Sequence, residues 1–150
     1  METKSMDFEI VTASEGIICS RKIAGVVLPT TTGLMGVLPG HAGSITTIDP
    51  GLVQIQEVDG STTPILVYNG TAMIRLNTVL VTVDQVEQIG KDFLSLEEAK
   101  SISTKVSEKS KTILNDPSKS FAEKQVATKD AVFAASRVSG YLQLQSQGKL

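Results

Sequence analysis

The sequence has little of what catalytic and nucleic-acid-binding proteins depend on. Its 150 residues include no tryptophan, one cysteine and one histidine, and aromatic residues make up only 4%. A single cysteine, Cys19, excludes an internal disulfide. His41 is the only imidazole, so a histidine-rich metal site is excluded and a catalytic triad has one candidate base. So few aromatic rings offer little for nucleobases to stack on.

Neither sign of charge dominates the chain. The 14 basic and 16 acidic residues give a net charge of −2. Nucleic acids and anionic membrane surfaces attract strongly basic proteins, so we predict neither as a direct electrostatic partner. No apolar run approaches the roughly 20 residues of a membrane-spanning helix. With 150 residues, 41% of them hydrophobic, the chain can bury a core and suits either one domain or a domain with a small appendage.

Residues 1–90 are predicted to form an antiparallel β-sandwich domain. β-Branched residues are frequent from residue 8 onwards, and Val79 to Asp84 alternates as a half-buried strand does. Turn signals divide the segment into short pieces. They are Ser14-Glu15-Gly16, Asp49-Pro50-Gly51, Asp59-Gly60, Asn69-Gly70 and Leu76-Asn77-Thr78. Short strands with regular turns are typical of a sandwich or a barrel.

Residues 91–150 are predicted to form an antiparallel two-helix hairpin, because strand signals end and helix signals begin. Ser95 with Glu98, and Ser120 with Glu123, have the capping-box spacing. Pro117 separates the two helices. Their apolar stripes consist mainly of small residues such as Ala99, Ala127 and Ala134. Such a hairpin gains modestly from its own packing, so it either needs support from another surface or is self-sufficient.

The segment from Gly33 to Gly43 is the most distinctive in the sequence, because it contains four glycines, Pro39 and His41. A phosphate-binding loop would continue into Lys and Ser or Thr, and a dinucleotide fingerprint would open a helix. Neither follows, so we predict no cofactor. Two interpretations remain, which are a shaped docking loop and an ordinary surface turn.

The distribution of reactive side chains argues against an enzyme. The carboxylates of the β-half lie mostly in turns, and Glu57 and Asp59 have the spacing of a hairpin tip. We therefore predict no catalytic, metal-binding or cofactor-binding residues and no small-molecule substrate. A small-ligand-binding or enzymatic β-domain with a helical appendage remains the alternative at this point.

The arrangement resembles a known family. A β-sandwich of about ninety residues followed by a helical hairpin is similar to the small central-stalk subunit of F-type ATP synthases, called epsilon in bacteria and chloroplasts and delta in mitochondria. The specific part is Gly33-Leu34-Met35-Gly36-Val37-Leu38-Pro39-Gly40-His41-Ala42, supported by Leu28-Pro29-Thr30 and Pro50-Gly51-Leu52-Val53. The resemblance covers nearly the whole chain.

This resemblance implies a non-catalytic rotor subunit that links the gamma subunit to the c ring and couples proton transport to ATP synthesis. In mitochondria, a further small stalk subunit would be an additional partner. The c ring would be contacted by Thr30, Thr31, Thr32, Gly33, Leu34, Met35 and Gly36. The gamma subunit would be contacted by Pro39, Gly40, His41 and Ala42.

The chain also departs from the pattern of the family. Its second helix is poor in arginine, which argues against an inhibitory, extending hairpin. Threonines around Pro29 and after Asp59 are closer to mitochondrial members. We therefore expect a peripheral subunit on an energy-transducing membrane, with the matrix side of the mitochondrial inner membrane favoured over the bacterial plasma membrane or the thylakoid.

ATP is expected not to bind at the start of the first helix. Bacterial members carry an aspartate and an arginine there, whereas this chain has Ser95 and Glu98. A carboxylate in place of a guanidinium repels a phosphate. A thermal-shift titration of the full chain with ATP should therefore show no stabilisation, and a strong, saturable rise in melting temperature would contradict this prediction.

Overall fold

The computed structural model describes residues 4–88 and 95–147. The chain divides into two compact units, Met1–Phe93 and Leu94–Leu150. The predicted domain boundary between residues 90 and 91 lies outside the described residues. Within the described ranges, the first unit is a β-sandwich of eight strands and the second contains two helices. The predicted fold class is therefore confirmed.

The strands are β1 (Met6–Thr12), β2 (Gly16–Ile23), β3 (Gly25–Thr30), β4 (Gly33–Val37), β5 (Ser44–Ile48), β6 (Gly51–Gln56), β7 (Thr62–Arg75) and β8 (Thr78–Gln88). They form a single folded sheet with the strand order β2-β1-β8-β7-β5-β3-β4, in which β6 pairs with β3 and β7. One pair, β1 with β8, is parallel, although the sequence predicted antiparallel pairing. This pair closes the sandwich by joining its first strand to its last described one.

The core of the sandwich is aliphatic and follows the alternation of the strands. Phe8 in β1 pairs with Val79 in β8, and Ile10 pairs with Val81, and all four are completely buried. The predicted alternation from Val79 to Asp84 is confirmed. Phe8 is the one ring of the main core cluster, and Tyr68 is a second buried ring of this unit. Aliphatic side chains, many of them β-branched, fill the rest of the interior, which explains how the sandwich forms with so few aromatic residues.

Two of the predicted turns do not reverse the chain. Asn69 and Gly70 lie inside the long strand β7, where Asn69 has a φ of 27°. Opposite them, Asp49 and Pro50 separate β5 from β6, yet both strands pair with β7 in the same register. Residues that tolerate unusual backbone angles bend these strands here instead of ending them.

The other predicted turns are confirmed. Residues 13–15 separate β1 from β2, and residues 58–60 lie at the tip between β6 and β7. Asp59 stabilises this tip, since its Oδ1 accepts a hydrogen bond of 2.8 Å from the backbone N–H of Ser61. Leu76 and Asn77 form the two-residue turn between β7 and β8.

The second unit consists of α1 (Leu96–Asn115) and α2 (Phe121–Ser146), and both predicted capping boxes are present. Ser95 Oγ accepts from the N–H of Glu98 at 3.2 Å, and the Glu98 carboxylate accepts from the N–H of Ser95 at 2.9 Å. No helix within residues 4–88 and 95–147 is long and apolar enough to cross a membrane.

Small side chains lie between the two helices, as the sequence predicted. Ala99, Ser110, Ala127 and Ala134 are buried. Towards the α1–α2 turn these residues leave a groove of about 400 Å³. Its apolar lining comes from Val106, Ile113, Ala122, Val126 and Ala127. The small side chains leave this part of the helix interface unfilled, so it buries little apolar surface.

Replacing Gly70 with alanine should destabilise the sandwich. A β-carbon at this position would lie 2.0 Å from the carbonyl oxygen of Thr82 and 2.8 Å from Cα of Val83. Both obstacles are backbone atoms of β8, so we expect a loss of about 3 kcal/mol or more in the free energy of unfolding. Urea denaturation of the full chain measures it. Gly36→Ala is the matched control, because its added carbon would contact nothing, and equal losses in both variants would refute the prediction.

Acid should weaken the helical unit through its capping carboxylates. Hydrogen bonds from the backbone and hydroxyl of Ser95 lower the pKa of Glu98 below its ordinary value of 4.5, and Ser120 does the same for Glu123. Each contribution is complete above the unfolded pKa and is lost as the pH falls through the lower folded pKa. Helical ellipticity should decline between about pH 5 and 3. The E98Q/E123Q double variant should show a flatter decline, since its amides do not titrate, and an unchanged curve would contradict this account.

Candidate docking surface

The sequence predicts a single loop for the glycine-rich segment. In the structure, the segment is a strand followed by a loop. Residues Gly33–Val37 form β4, which pairs with β3 from Thr30↔Gly33 to Val26↔Val37. The chain then leaves the sheet and forms an irregular loop over residues 38–43. Val37 is fully buried in the core. Its burial holds the first half of the segment against β3, where it forms a strand.

Thr31 and Thr32 form the tip of the β3–β4 hairpin, and three contacts hold this tip. The Thr30 hydroxyl donates to the carbonyl of Gly33 at 2.5 Å, and it lies 3.2 Å from the Thr32 hydroxyl. The N–H of Thr31 donates to the carbonyl of Thr47 at 3.4 Å. Gly33 has a φ of +118°, a conformation that only glycine adopts easily. The tip therefore has a defined shape, with Thr31 and Thr32 exposed and Thr30 buried.

The predicted c-ring residues of β4 differ in their exposure. Leu34 is 70% exposed, Gly36 is exposed, and Met35 packs partly against the core. β4 is an edge strand, at the end of the strand order. Its outer side thus presents backbone, glycine and one leucine, a combination that suits contact with another chain.

The four predicted gamma-facing residues lie together in the loop that follows β4. The N–H of His41 donates to the carbonyl of Leu38 at 3.0 Å, which closes a tight turn around Pro39 and Gly40. His41 Nδ1 lies 2.7 Å from the carbonyl oxygen of Ala42. Since a carbonyl only accepts, Nδ1 carries the proton in this contact. The imidazole is thereby held against its own loop.

A contact that sequence reasoning missed fixes this loop to the sandwich. The N–H of Gly40 donates to Oδ1 of Asn77 at 3.1 Å, and the carbonyl of Asn77 accepts from the N–H of Asp7 at 2.8 Å. Asn77 lies in the predicted turn between β7 and β8. Nothing local to either position signals a contact across 37 residues, so only the folded arrangement reveals it.

The surface contains none of the four charged residue types, and His41 is its single titratable side chain. From Ile23 to Ile48 the sequence contains no Asp, Glu, Lys or Arg. In the described part of the chain, no three His, Cys, Asp or Glu side chains form a group that could hold a metal ion. The arrangement of Thr30 to Ala42 therefore supplies shape, hydroxyl groups and apolar contact, and no acid–base pair.

A polar depression elsewhere in the sandwich bears on the alternative hypothesis of a ligand-binding β-domain. It has a volume of about 390 Å³ and lies between β2 and β7, with Cys19, Arg21 and Thr63 among its lining residues. Arg21 is paired with Glu57 at 2.9 Å, and burial raises the pKa of the Cys19 thiol. A protonated thiol is a weak nucleophile, so these groups do not form an activated site.

Comparison with known proteins identifies the β unit. Residues 5–89 match the family model of the ATP synthase delta/epsilon chain, beta-sandwich domain. The chloroplastic ATP synthase epsilon chain of Pylaiella littoralis is 41% identical over 95 residues, which are 63% of this chain and 70% of that one. The corresponding protein of Thalassiosira pseudonana is 43% identical over 84 residues, which are 56% of this chain and 62% of that one.

The fold is also found in a solved structure, the OSCP/F1/c-ring assembly of Euglena gracilis mitochondrial ATP synthase. The TM-score is 0.71 at 16% identity, and the likeness covers 92% of this chain and 81% of that one. At this level of sequence identity the likeness supports the fold alone, and the match to the family model shows which family the chain belongs to. The resemblance predicted from the glycine-rich segment is confirmed, and the chain belongs to the ATP synthase delta/epsilon family.

Proposed function

We propose that this chain is a non-catalytic rotor subunit of an F-type ATP synthase, which links gamma to the c ring and so couples proton transport to ATP synthesis. Membership of the family favours a subunit of ATP synthase over the alternative hypothesis, which is an independent ligand-binding or enzymatic β-domain. The surface from Thr30 to Ala42, which contains no Asp, Glu, Lys or Arg, fits such a role.

The c-ring contact is assigned to the hairpin tip and to the outer side of β4. Thr31, Thr32, Leu34 and Gly36 are exposed there. Thr30 and Met35 support them from the interior. The absence of charge avoids the desolvation cost of burying ions at an interface, and glycine lets the backbone of a partner approach closely.

The gamma contact is assigned to the loop after β4. Pro39 and His41 are half-buried, and Gly40 and Ala42 are exposed. The contacts of Gly40 with Asn77 and of His41 with Leu38 hold this loop in one conformation. A pre-organised loop loses less conformational entropy on binding than a flexible one.

The observation that carries the proposal is that β4 connects the two assigned regions. Its five residues are paired with β3 along their whole length, so they separate the threonine tip from the loop by roughly 17 Å of sheet. Leu28 and Val26 of β3 are buried in the core. A force applied at one region would thus reach the other through hydrogen-bonded backbone.

ATP synthases work on energy-transducing membranes, and the chain belongs at the periphery of such a membrane. We assign it more narrowly to the matrix side of the mitochondrial inner membrane. The threonines around Pro29 and after Asp59 support this assignment. A tagged chain should then co-fractionate with mitochondria, where the further small stalk subunit would join its partners, and recovery with plastids or a plasma membrane would refute it.

Gly36→Val should disrupt docking on the c ring while leaving the sandwich folded. Gly36 has no unusual φ, a β-carbon there would contact nothing, and valine suits a strand. The melting temperature of the full chain should therefore change by less than about 2 °C. Recovery of c-ring subunits with the tagged chain in mild detergent should fall severely. Gly33 is less suitable for this test, because its positive φ would strain any replacement.

Ser20→Val is the matched control for this experiment. Ser20 is exposed on β2, the edge strand at the opposite end of the sheet. Its replacement adds the same side chain away from the assigned surface and should leave c-ring recovery unchanged. Normal recovery of the c ring with Gly36→Val would overturn the assigned contact. Failure of the wild-type chain to recover either gamma or the c ring would overturn the proposed function.

A further inference from the structure

Leu76 combines two features that are unfavourable for a leucine in a folded chain, a high exposure to solvent and a positive φ. It is a leucine with 78% of its surface exposed, and its φ is 47°. An exposed leucine contributes nothing to the core, and a left-handed conformation costs a branched side chain about 1 kcal/mol. Both penalties fall on one residue of a two-residue turn.

The turn itself would be easier to form with another residue. Leu76 has a positive φ and Asn77 does not, a pattern in which glycine is preferred at the first position. The other described non-glycine residue with a positive φ is Asn69, and asparagine is a residue type that tolerates this conformation. Leucine at position 76 is therefore a departure that the turn geometry does not require. Departures of this kind cluster at functional sites.

The position of Leu76 connects it with the loop assigned to gamma. On one side, Asn77 accepts the hydrogen bond from Gly40. On the other side, the ladder between β5 and β7 begins at the pair Ser44↔Ile74. Leu76 lies between Ile74 and Asn77 in the chain, and the partners of these two residues, Ser44 and Gly40, lie on either side of residues 41–43. The turn and the loop therefore form one continuous surface.

Two further exposed apolar side chains lie on the strands that meet this turn. Ile45 and Met73, which are 70% and 43% exposed, are direct partners across β5 and β7. Met73 lies three residues before Leu76 in the chain. Neighbouring exposed apolar side chains, rather than single ones, are a feature of surfaces that contact another chain.

We propose that the Leu76–Asn77 turn is a second docking element for the gamma subunit, in which Leu76 is an apolar anchor and Asn77 positions the loop that contains His41. This inference rests on the proposed function. It predicts that gamma presents an apolar depression opposite Leu76. It also explains the strained leucine, because the side chain that costs folding energy would gain apolar burial in the complex.

The test is to replace Leu76 with asparagine in the full chain and to measure both the affinity for purified gamma and the melting temperature. Asparagine tolerates a positive φ, so the melting temperature should stay the same or rise. Affinity for gamma should fall about tenfold, as expected for the loss of one buried leucine. A variant that folds at least as well and binds less tightly is a result that a purely structural role of Leu76 would not give.

Asn77 is tested by two substitutions. Asn77→Ala removes the acceptor of the Gly40 hydrogen bond and should weaken gamma binding about threefold to tenfold. Asn77→Asp keeps an oxygen acceptor at the same position and should restore most of the affinity. Ile17→Asn is the matched surface control, because Ile17 is 63% exposed at the opposite end of the sandwich, and it should bind gamma as the wild type does.

Each outcome separates the inference from the proposed function. If Leu76→Asn binds gamma with unchanged affinity, Leu76 is not an anchor and the inference is wrong while the proposed function stands. If the affinity and the melting temperature of Leu76→Asn fall together, the leucine serves the fold and the inference is equally wrong. If the wild-type chain does not bind gamma at all, both the inference and the proposed function fail.

Discussion

The close approach of β7 and β8 at Gly70 is the constraint on which the sandwich depends. A β-carbon at Gly70 would lie 2.0 Å from the carbonyl oxygen of Thr82, so the two backbones can meet only where a side chain is absent. Beside it, Asn69 adopts a positive φ. The two residues allow one long strand to bend without losing its pairing with β8 on either side of the bend.

The rest of the sheet follows from this bend. One side of β7 pairs with β8 from Ile65 to Arg75, and its other side pairs first with β6 and then with β5. Since β5 and β6 occupy successive positions between β7 and β3, they set where β3 lies. β3 in turn holds β4, the strand of the assigned docking surface. Gly70 of β7 is thus needed to position the docking surface on β4, although β4 pairs with β3 and not with β7.

Much of this architecture could be predicted from the sequence, and the exceptions have a physical cause. Hairpin tips such as Asp59-Gly60, and both capping boxes, depend on residues close in sequence, so their local signals were sufficient. Asn69-Gly70 gave the signal of a tight turn because the same backbone freedom serves a reversal and a bend. Which of the two forms depends on the ladders with β5, β6 and β8, which sequence spacing does not encode. The contact between Gly40 and Asn77 was missed for the same reason.

The character of the docking surface follows from the role of a rotor subunit. Such a surface must stay attached while it transmits force, and it must do so beside a membrane where ions are costly to bury. The assigned surface from Thr30 to Ala42 suits this condition, because it offers backbone shape, hydroxyl groups and aliphatic side chains and contains no Asp, Glu, Lys or Arg. A residue that serves contact need not suit the free chain best, and this is the role that we propose for Leu76 with its exposure and positive φ. The local cost is small against the stability of an aliphatic sandwich, and it is tolerated because the β7–β8 ladder fixes the turn on both sides.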